Sequence, residues 1–150
     1  MIFPALTPTV KTPSFILEAA VATSWAISSR GSAYAHRVQF RLALGTACVV
    51  ATNWPLDLVE ELRNAEQRRV TSRQRMDTLF ANLAMYRIYL DERTPHLAWP
   101  NILDFARTHN IPVRDAAHLE LSLRLNLPLA TSDAALTQVA IAAGVSIFTP

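Results

Sequence analysis

The stretch Asp115 to Asp133, DAAHLELSLRLNLPLATSD, narrows what this chain can fold into more than any other. It reads as an acid, a helix, a short buried strand and a second acid. Ala116, Leu119, Leu123 and Leu127 keep the i, i+3, i+4 rhythm of a helix face up to about Leu125. Pro128 stops that helix. Leu129-Ala130-Thr131 is a short apolar run of strand type, and Ser132-Asp133 opens another Ala-rich helix. A strand followed at once by a helix is the unit of a parallel sheet, and such sheets bind ligands beyond the carboxyl ends of their strands. Asp133 falls at such an end. Asp115, just after Ile111-Pro112-Val113, begins the preceding helix.

The same alternation runs through the rest of the chain. Strands are expected over 14–17, 46–50, 86–90, 129–131 and 145–148. Helices are expected over 19–27, 33–44, 55–68, 72–85 and 133–143, with another from about 95 to His109 and one from Asp115. A turn spans 28–32, and Gly45 is placed as a left-handed helix cap. Strands separated throughout by helices imply a parallel sheet covered on both faces. At 150 residues the chain forms one domain, over 14–150. Residues 1–13, with Pro4, Pro8 and Pro13, read as a flexible extension. Glu18 interrupts the one stretch resembling a secretory leader, and no run of about 18 uncharged apolar residues offers a membrane span.

Composition removes several function classes. Cys48 is the only cysteine, which excludes an intrachain disulfide or a thiolate metal cage and fits a reducing, cytoplasmic setting. Three glycines, none in a phosphate-binding loop, argue against a Rossmann or P-loop nucleotide site. Ser14, Ser24 and Ser132 lack the context of a serine nucleophile.

Acids mark the expected sheet edge. Glu18 ends the first strand, Asp57 lies one turn into the helix after the second, and Asp115 and Asp133 begin late helices. Two readings of them stand side by side. As helix caps or first-turn residues, Asp115 and Asp133 gain under about 1 kcal/mol from the helix dipole. As a converging set, four carboxylates repel and need a cation, and a hard divalent ion takes oxygen ligands and keeps several waters. Glu60, Glu61, Asp104 and Glu120 compete for the same role, and spacing does not separate them.

Ile16-Leu17-Glu18-Ala19-Ala20-Val21-Ala22 through Trp25 resembles the opening of PIN-domain ribonucleases of the VapC-like toxin type, where Asp stands at the Glu18 position. Trp54-Pro55-Leu56-Asp57 is similar to the second motif, where Glu is usual at Asp57. Arg114 to Leu121 resembles the third motif, Asp-Ala-x-Tyr-Leu. Leu129-Ala130-Thr131-Ser132-Asp133-Ala134-Ala135-Leu136 resembles the fourth, Leu-Ala-Thr-x-Asp-x-x-Leu. The resemblance implies a three-layer α/β/α PIN-like fold with a central parallel sheet. It implies RNA hydrolysis dependent on Mg²⁺ or Mn²⁺, with Glu18, Asp57, Asp115 and Asp133 as catalytic and metal-binding residues. It also implies a role as the toxin of a toxin–antitoxin pair, with RNA as substrate, a cognate antitoxin as partner, and a homodimer.

Departures from the pattern define an alternative, a catalytically impaired PIN-fold protein that binds an antitoxin or RNA. Glu18 is one methylene longer than the usual Asp and Asp57 one shorter than the usual Glu, so the two changes either compensate or weaken the site. Ala20 replaces a common hydroxyl, and Glu60, three residues past Asp57, stands where Asn is common. Arg63, Arg68, Arg69, Arg73 and Arg75 surround a helix–helix turn and read as a solvated surface or an RNA-contacting patch. Arg114 pairs with a carboxylate or with a phosphate. His36, His96, His109 and His118 lack metal-ligand spacing, and His118 reads as core packing. Trp25, Trp54 and Trp99 read as core or interface anchors.

Overall fold

The computed structural model describes residues 12–27 and 32–150. The expected extension falls outside them over residues 1–11, and so does the expected turn over 28–31. Four short parallel strands form the sheet: β1 (Phe15–Leu17), β2 (Ala47–Ala51), β3 (Arg87–Asp91) and β4 (Leu129–Ala130), in the order β3-β2-β1-β4. Every residue of β1, β2 and β4 is buried, which is why these strands read as unbroken apolar runs and not as alternating ones.

Alternation survives in which layer each side chain enters. Phe15, Leu17, Cys48 and Val50 enter one core with α1 (Ala19–Thr23), α2 (Ala33–Ala43), α3 (Trp54–Gln67) and α4 (Arg73–Leu83). Ile16, Ala47, Val49 and Ala51 enter the other. That second core receives α6 (Leu103–His109), α7 (Val113–Leu125) and α8 (Ala134–Ala142), while the short α5 (Thr94–Leu97) follows β3. The result is the expected α/β/α arrangement with two apolar cores, one on each face of the sheet.

Several boundaries differ from expectation for local physical reasons. The helix expected up to His109 breaks between α5 and α6. Trp99 adopts φ −138° and ψ 132°, because a residue preceding proline, here Pro100, is driven out of the helical region. Trp99 is also 76% exposed, so it is not a core anchor, whereas Trp54 is fully buried. Helix α7 begins at Val113, with Pro112 O accepting from Asp115 N at 3.0 Å. Asp115 is therefore a first-turn residue and not a cap. The final strand shrinks to one bridge, Ile147 beside Leu129. Gly45 has φ +87°, a left-handed turn at the end of α2 that glycine enters without strain.

One polar knot ties β3 to α7. Arg124 donates from Nη2 to Asp91 Oδ2 at 2.7 Å and from Nε to Glu120 Oε1 at 2.9 Å. Thr94 Oγ1 adds a bond to Asp91 Oδ2 at 2.6 Å. Glu120 is thus committed to Arg124, at the opposite end of α7 from Asp115.

Candidate active site

Parallel pairing decides which chain ends meet. Leu17 lies in register with Ala130, and Glu18 N donates to Ala130 O at 3.1 Å. The residue after β1 therefore lies beside the residues after β4. Thr131 joins the two: its hydroxyl accepts from Asp133 N at 3.0 Å and hydrogen-bonds the Glu18 carboxylate. Helix α1 packs against α3, whose polar face reaches the same edge.

A cleft of about 300 Å³ opens there. Glu18, Asp57, Asp115 and Asp133 all line it, and Glu61 joins them. Glu60 does not: it is exposed and lies 3.8 Å from Arg63. The charge at Glu60 thus faces water, and the acid that enters is its neighbour. The sequence held a signal for this. Asp57, Glu61, Asn64 and Arg68 follow i, i+4, i+7, i+11, one stripe of α3, and all line the cleft. Trp54, Leu58, Leu62 and Ala65 form the buried stripe beside it. With Glu61 as an acid of this helix, Asn64 stands three residues on, the spacing that the resemblance leads one to expect of Glu and Asn.

Each acid is held differently. Glu18 is 8% exposed, caps no backbone N–H, and leaves Oε2 buried without a hydrogen-bond partner. Burial pushes its carboxyl up to about 7; the Thr131 hydrogen bond opposes this, while Asp115, Glu61 and Asp133 reinforce it. Asp57 receives a hydrogen bond from Asn53 Nδ2 and is raised by burial, against that bond and Arg114. Glu61 is raised by burial too, and its Oε2 lies 2.8 Å from Thr23 Oγ1. That hydroxyl is also 3.0 Å from Ala19 O and has one proton to share between the two acceptors. Asp115 is raised by burial against Arg114, with Asp133 and Asp57 adding repulsion. Asp133 is exposed, and its Oδ1 accepts from Leu136 N at 2.9 Å, so it caps α8 while lining the cleft.

Arg114 and Arg68 also line the cleft. His118 is buried with Nδ1 unpartnered, and burial, helped by Arg114, pulls its pKa down to about 4. It sits in the cleft wall as a neutral ring, in keeping with core packing.

Glu18 gives the site a measurable pH signature. Its carboxyl ionises above 4.5 in the unfolded chain and near 7 in the fold. The unfolded state thus releases the proton first, and stability present below the lower value is lost as pH rises through 7. Glu18→Gln should flatten that slope and stabilise the metal-free protein at pH 8, on the order of 3 kcal/mol. Urea titrations at pH 5 and pH 8 measure it, and parallel behaviour of the two proteins would contradict the assignment.

Does this donor set suit a hard cation? Carboxylates gathered at one edge, with Glu18, Asp57, Glu61 and Asp115 raised by burial and one buried oxygen unsatisfied, match the chemistry of a divalent ion. Among the described residues no three His, Cys, Asp or Glu side chains form a ready-made ligand set. The match is therefore to an ion that keeps several waters and binds few side chains directly.

No family profile matches the chain, and no curated protein matches it. Solved structures do. PAE2754 from Pyrobaculum aerophilum is similar at 13% identity, over 85% of this chain and 84% of that one, with a TM-score of 0.55. FitAcB from Neisseria gonorrhoeae is similar at 20% identity, over 91% and 97%, also with a TM-score of 0.55. The fold is PIN-like. In this PIN-like fold the carboxyl edge of the sheet is where the acids gather. Among the described residues no helix is long and apolar enough to cross a membrane.

Proposed function

We propose that this protein is a metal-dependent endoribonuclease that hydrolyses RNA phosphodiester bonds, and the toxin component of a toxin–antitoxin pair. One observation carries the reading: five carboxylates from four separate chain segments line a single cleft of about 300 Å³ at the strand ends. Gathering so much like charge around one cleft, with Glu18 buried, is costly unless a cation offsets it. The motif resemblance and the PIN-like fold support the reading, the fold at the level of architecture alone.

Glu18, Asp115 and Asp133, with Asp57 or Glu61 from α3, would hold Mg²⁺ or Mn²⁺, directly or through water. Such an ion supplies charge against the phosphate oxygens and makes water acidic enough to attack near neutral pH. The chain itself positions the acids. Thr131 orients Glu18, Asn53 orients Asp57, and Thr23 steadies Glu61. Glu18, titrating near 7, holds or releases a proton at neutral pH.

Mn²⁺ titration by calorimetry tests the metal reading. Glu18→Gln should weaken binding by about 10- to 100-fold, as loss of groups around a metal commonly does. Equal, negligible binding by both proteins removes the reading. A second reading keeps the fold and drops catalysis, leaving a module that binds an antitoxin or RNA. It is favoured by the lack of a ready-made ligand set among the described residues and by Ala20, which brings no hydroxyl to the cleft. Metal binding without RNA cleavage would select it.

A further inference from the structure

The cleft poses a problem for the substrate just proposed. An RNA strand is a polyanion, and the surface it must approach carries five carboxylates. Two arginines stand on its walls. Arg114 opens α7, and Arg68 closes α3.

Neither guanidinium is used up inside the protein. Arg114 Nε is 3.7 Å from Asp115 Oδ1, too long for a hydrogen bond, and the side chain is 57% exposed. Its charge acts on Asp57 and Glu61 as well as on Asp115, with which it makes only a loose ion pair. Arg68 Nε donates to Asn64 O at 3.3 Å, on its own helix, and makes no ion pair among the described residues. Compare Arg124, whose guanidinium is spent on Asp91 and Glu120. Arg114 also stands in the first turn of a 13-residue helix, the end whose dipole favours an anion.

We infer that Arg114 and Arg68 are a two-point clamp for the backbone phosphates of a single RNA strand, one from α7 and one from the end of α3, and that Arg114 also weakens cation binding there by sharing the same carboxylates. The inference rests on the ribonuclease reading. Arginine suits the task, since its planar fork meets phosphate oxygens in pairs. A cleft of about 300 Å³ is at the small end of ligand-pocket sizes, room for part of one strand. Arg114 therefore has two opposed effects: it attracts the polyanion and repels the metal.

Those opposite signs make the test sharp. Binding of a short single-stranded RNA is measured against salt without divalent ions, so that no strand is cut. Each neutralised contact should reduce the slope of log K against log salt by about 0.7. Arg114→Gln and Arg68→Gln should each show that loss, and the double variant about twice it. Arg107→Gln, outside the cleft, should leave the slope alone. Mn²⁺ titration of the same proteins should show binding at least about threefold tighter in Arg114→Gln, because a positive charge beside the site is gone. A general loss of structure would instead weaken both ligands. In that event Arg114→Lys decides: a restored slope keeps the clamp, and an unrestored one overturns it. If wild type binds RNA with a slope that the arginine variants share, the clamp is wrong and the ribonuclease reading stands. If wild type does not bind the strand, the clamp falls, and Mn²⁺-dependent cleavage of the same RNA decides the ribonuclease reading separately.

Discussion

Asp115→Asn should leave a folded protein that no longer cuts RNA, with cleavage down by at least about 100-fold in Mn²⁺. Asparagine keeps the shape and removes the charge. The fold has little stake in that charge. Asp115 caps no helix, its backbone N already bonds Pro112 O, and its side chain touches Arg114 only at 3.7 Å. The carboxylate adds at most about 1 kcal/mol through the helix dipole. Losing it also relieves Glu18, whose carboxyl should titrate closer to the ordinary range. Asp133→Asn is the companion measurement. Asparagine still accepts from Leu136 N, so the cap of α8 survives while the charge goes. Lost cleavage with intact melting in both variants assigns the acids to chemistry. Cleavage at the wild-type rate in both would leave them as helix-end residues.

Arg124→Ala should cost about 3–5 kcal/mol of stability. Arg124 is 16% exposed and its partner Asp91 6%, so deleting the guanidinium strands a carboxylate away from water with only Thr94 to answer it. For a chain of this size that lowers the melting temperature by roughly 10 °C. The cost lies in the broken pair and not in its absence. Arg124→Met combined with Asp91→Asn and Glu120→Gln should recover most of the loss, because no uncompensated charge remains. Acid titration supplies a second check. Burial raises the Asp91 carboxyl, but the Arg124 and Thr94 hydrogen bonds outweigh it and hold the group below the usual carboxylate range. Its stabilisation is present above about pH 4 and disappears as pH falls through the depressed value. Arg124→Ala should lose that part of the acid sensitivity. Stability within 1 kcal/mol of wild type would show the knot to be ornamental.

Much of the architecture was legible because its causes are local. Leu129-Ala130, Ala47–Ala51 and Phe15–Leu17 are apolar on consecutive positions, as strands covered on both faces must be. Gly45 ends α2 at positive φ as placed, while α7 ends at Asn126, two residues before the Pro128 expected to stop it. Other errors had visible causes. Pro100 stood within the expected helix, and its effect on Trp99 follows from sterics alone. Asp57 lines the cleft as expected, and Glu61 and Asn64, not singled out from the sequence, line it from the same polar stripe of α3.

By itself the sequence determined where the chain is strand or helix, that the strands run parallel beneath two helical layers, and which side chains carry negative charge. Those follow from periodicity, from the φ limits of glycine and proline, and from burial of apolar runs. Only the tertiary structure decided which acids share a cleft. Adjacent residues on a helix point about 100° apart, so Glu60 meets water and Glu61 meets Glu18 once α1 settles on α3. The pairing of Leu17 with Ala130 then sets Glu18 beside Thr131 and Asp133, joining residues over a hundred positions apart. Such contacts depend on strand order and register, which belong to the whole fold and to no single segment.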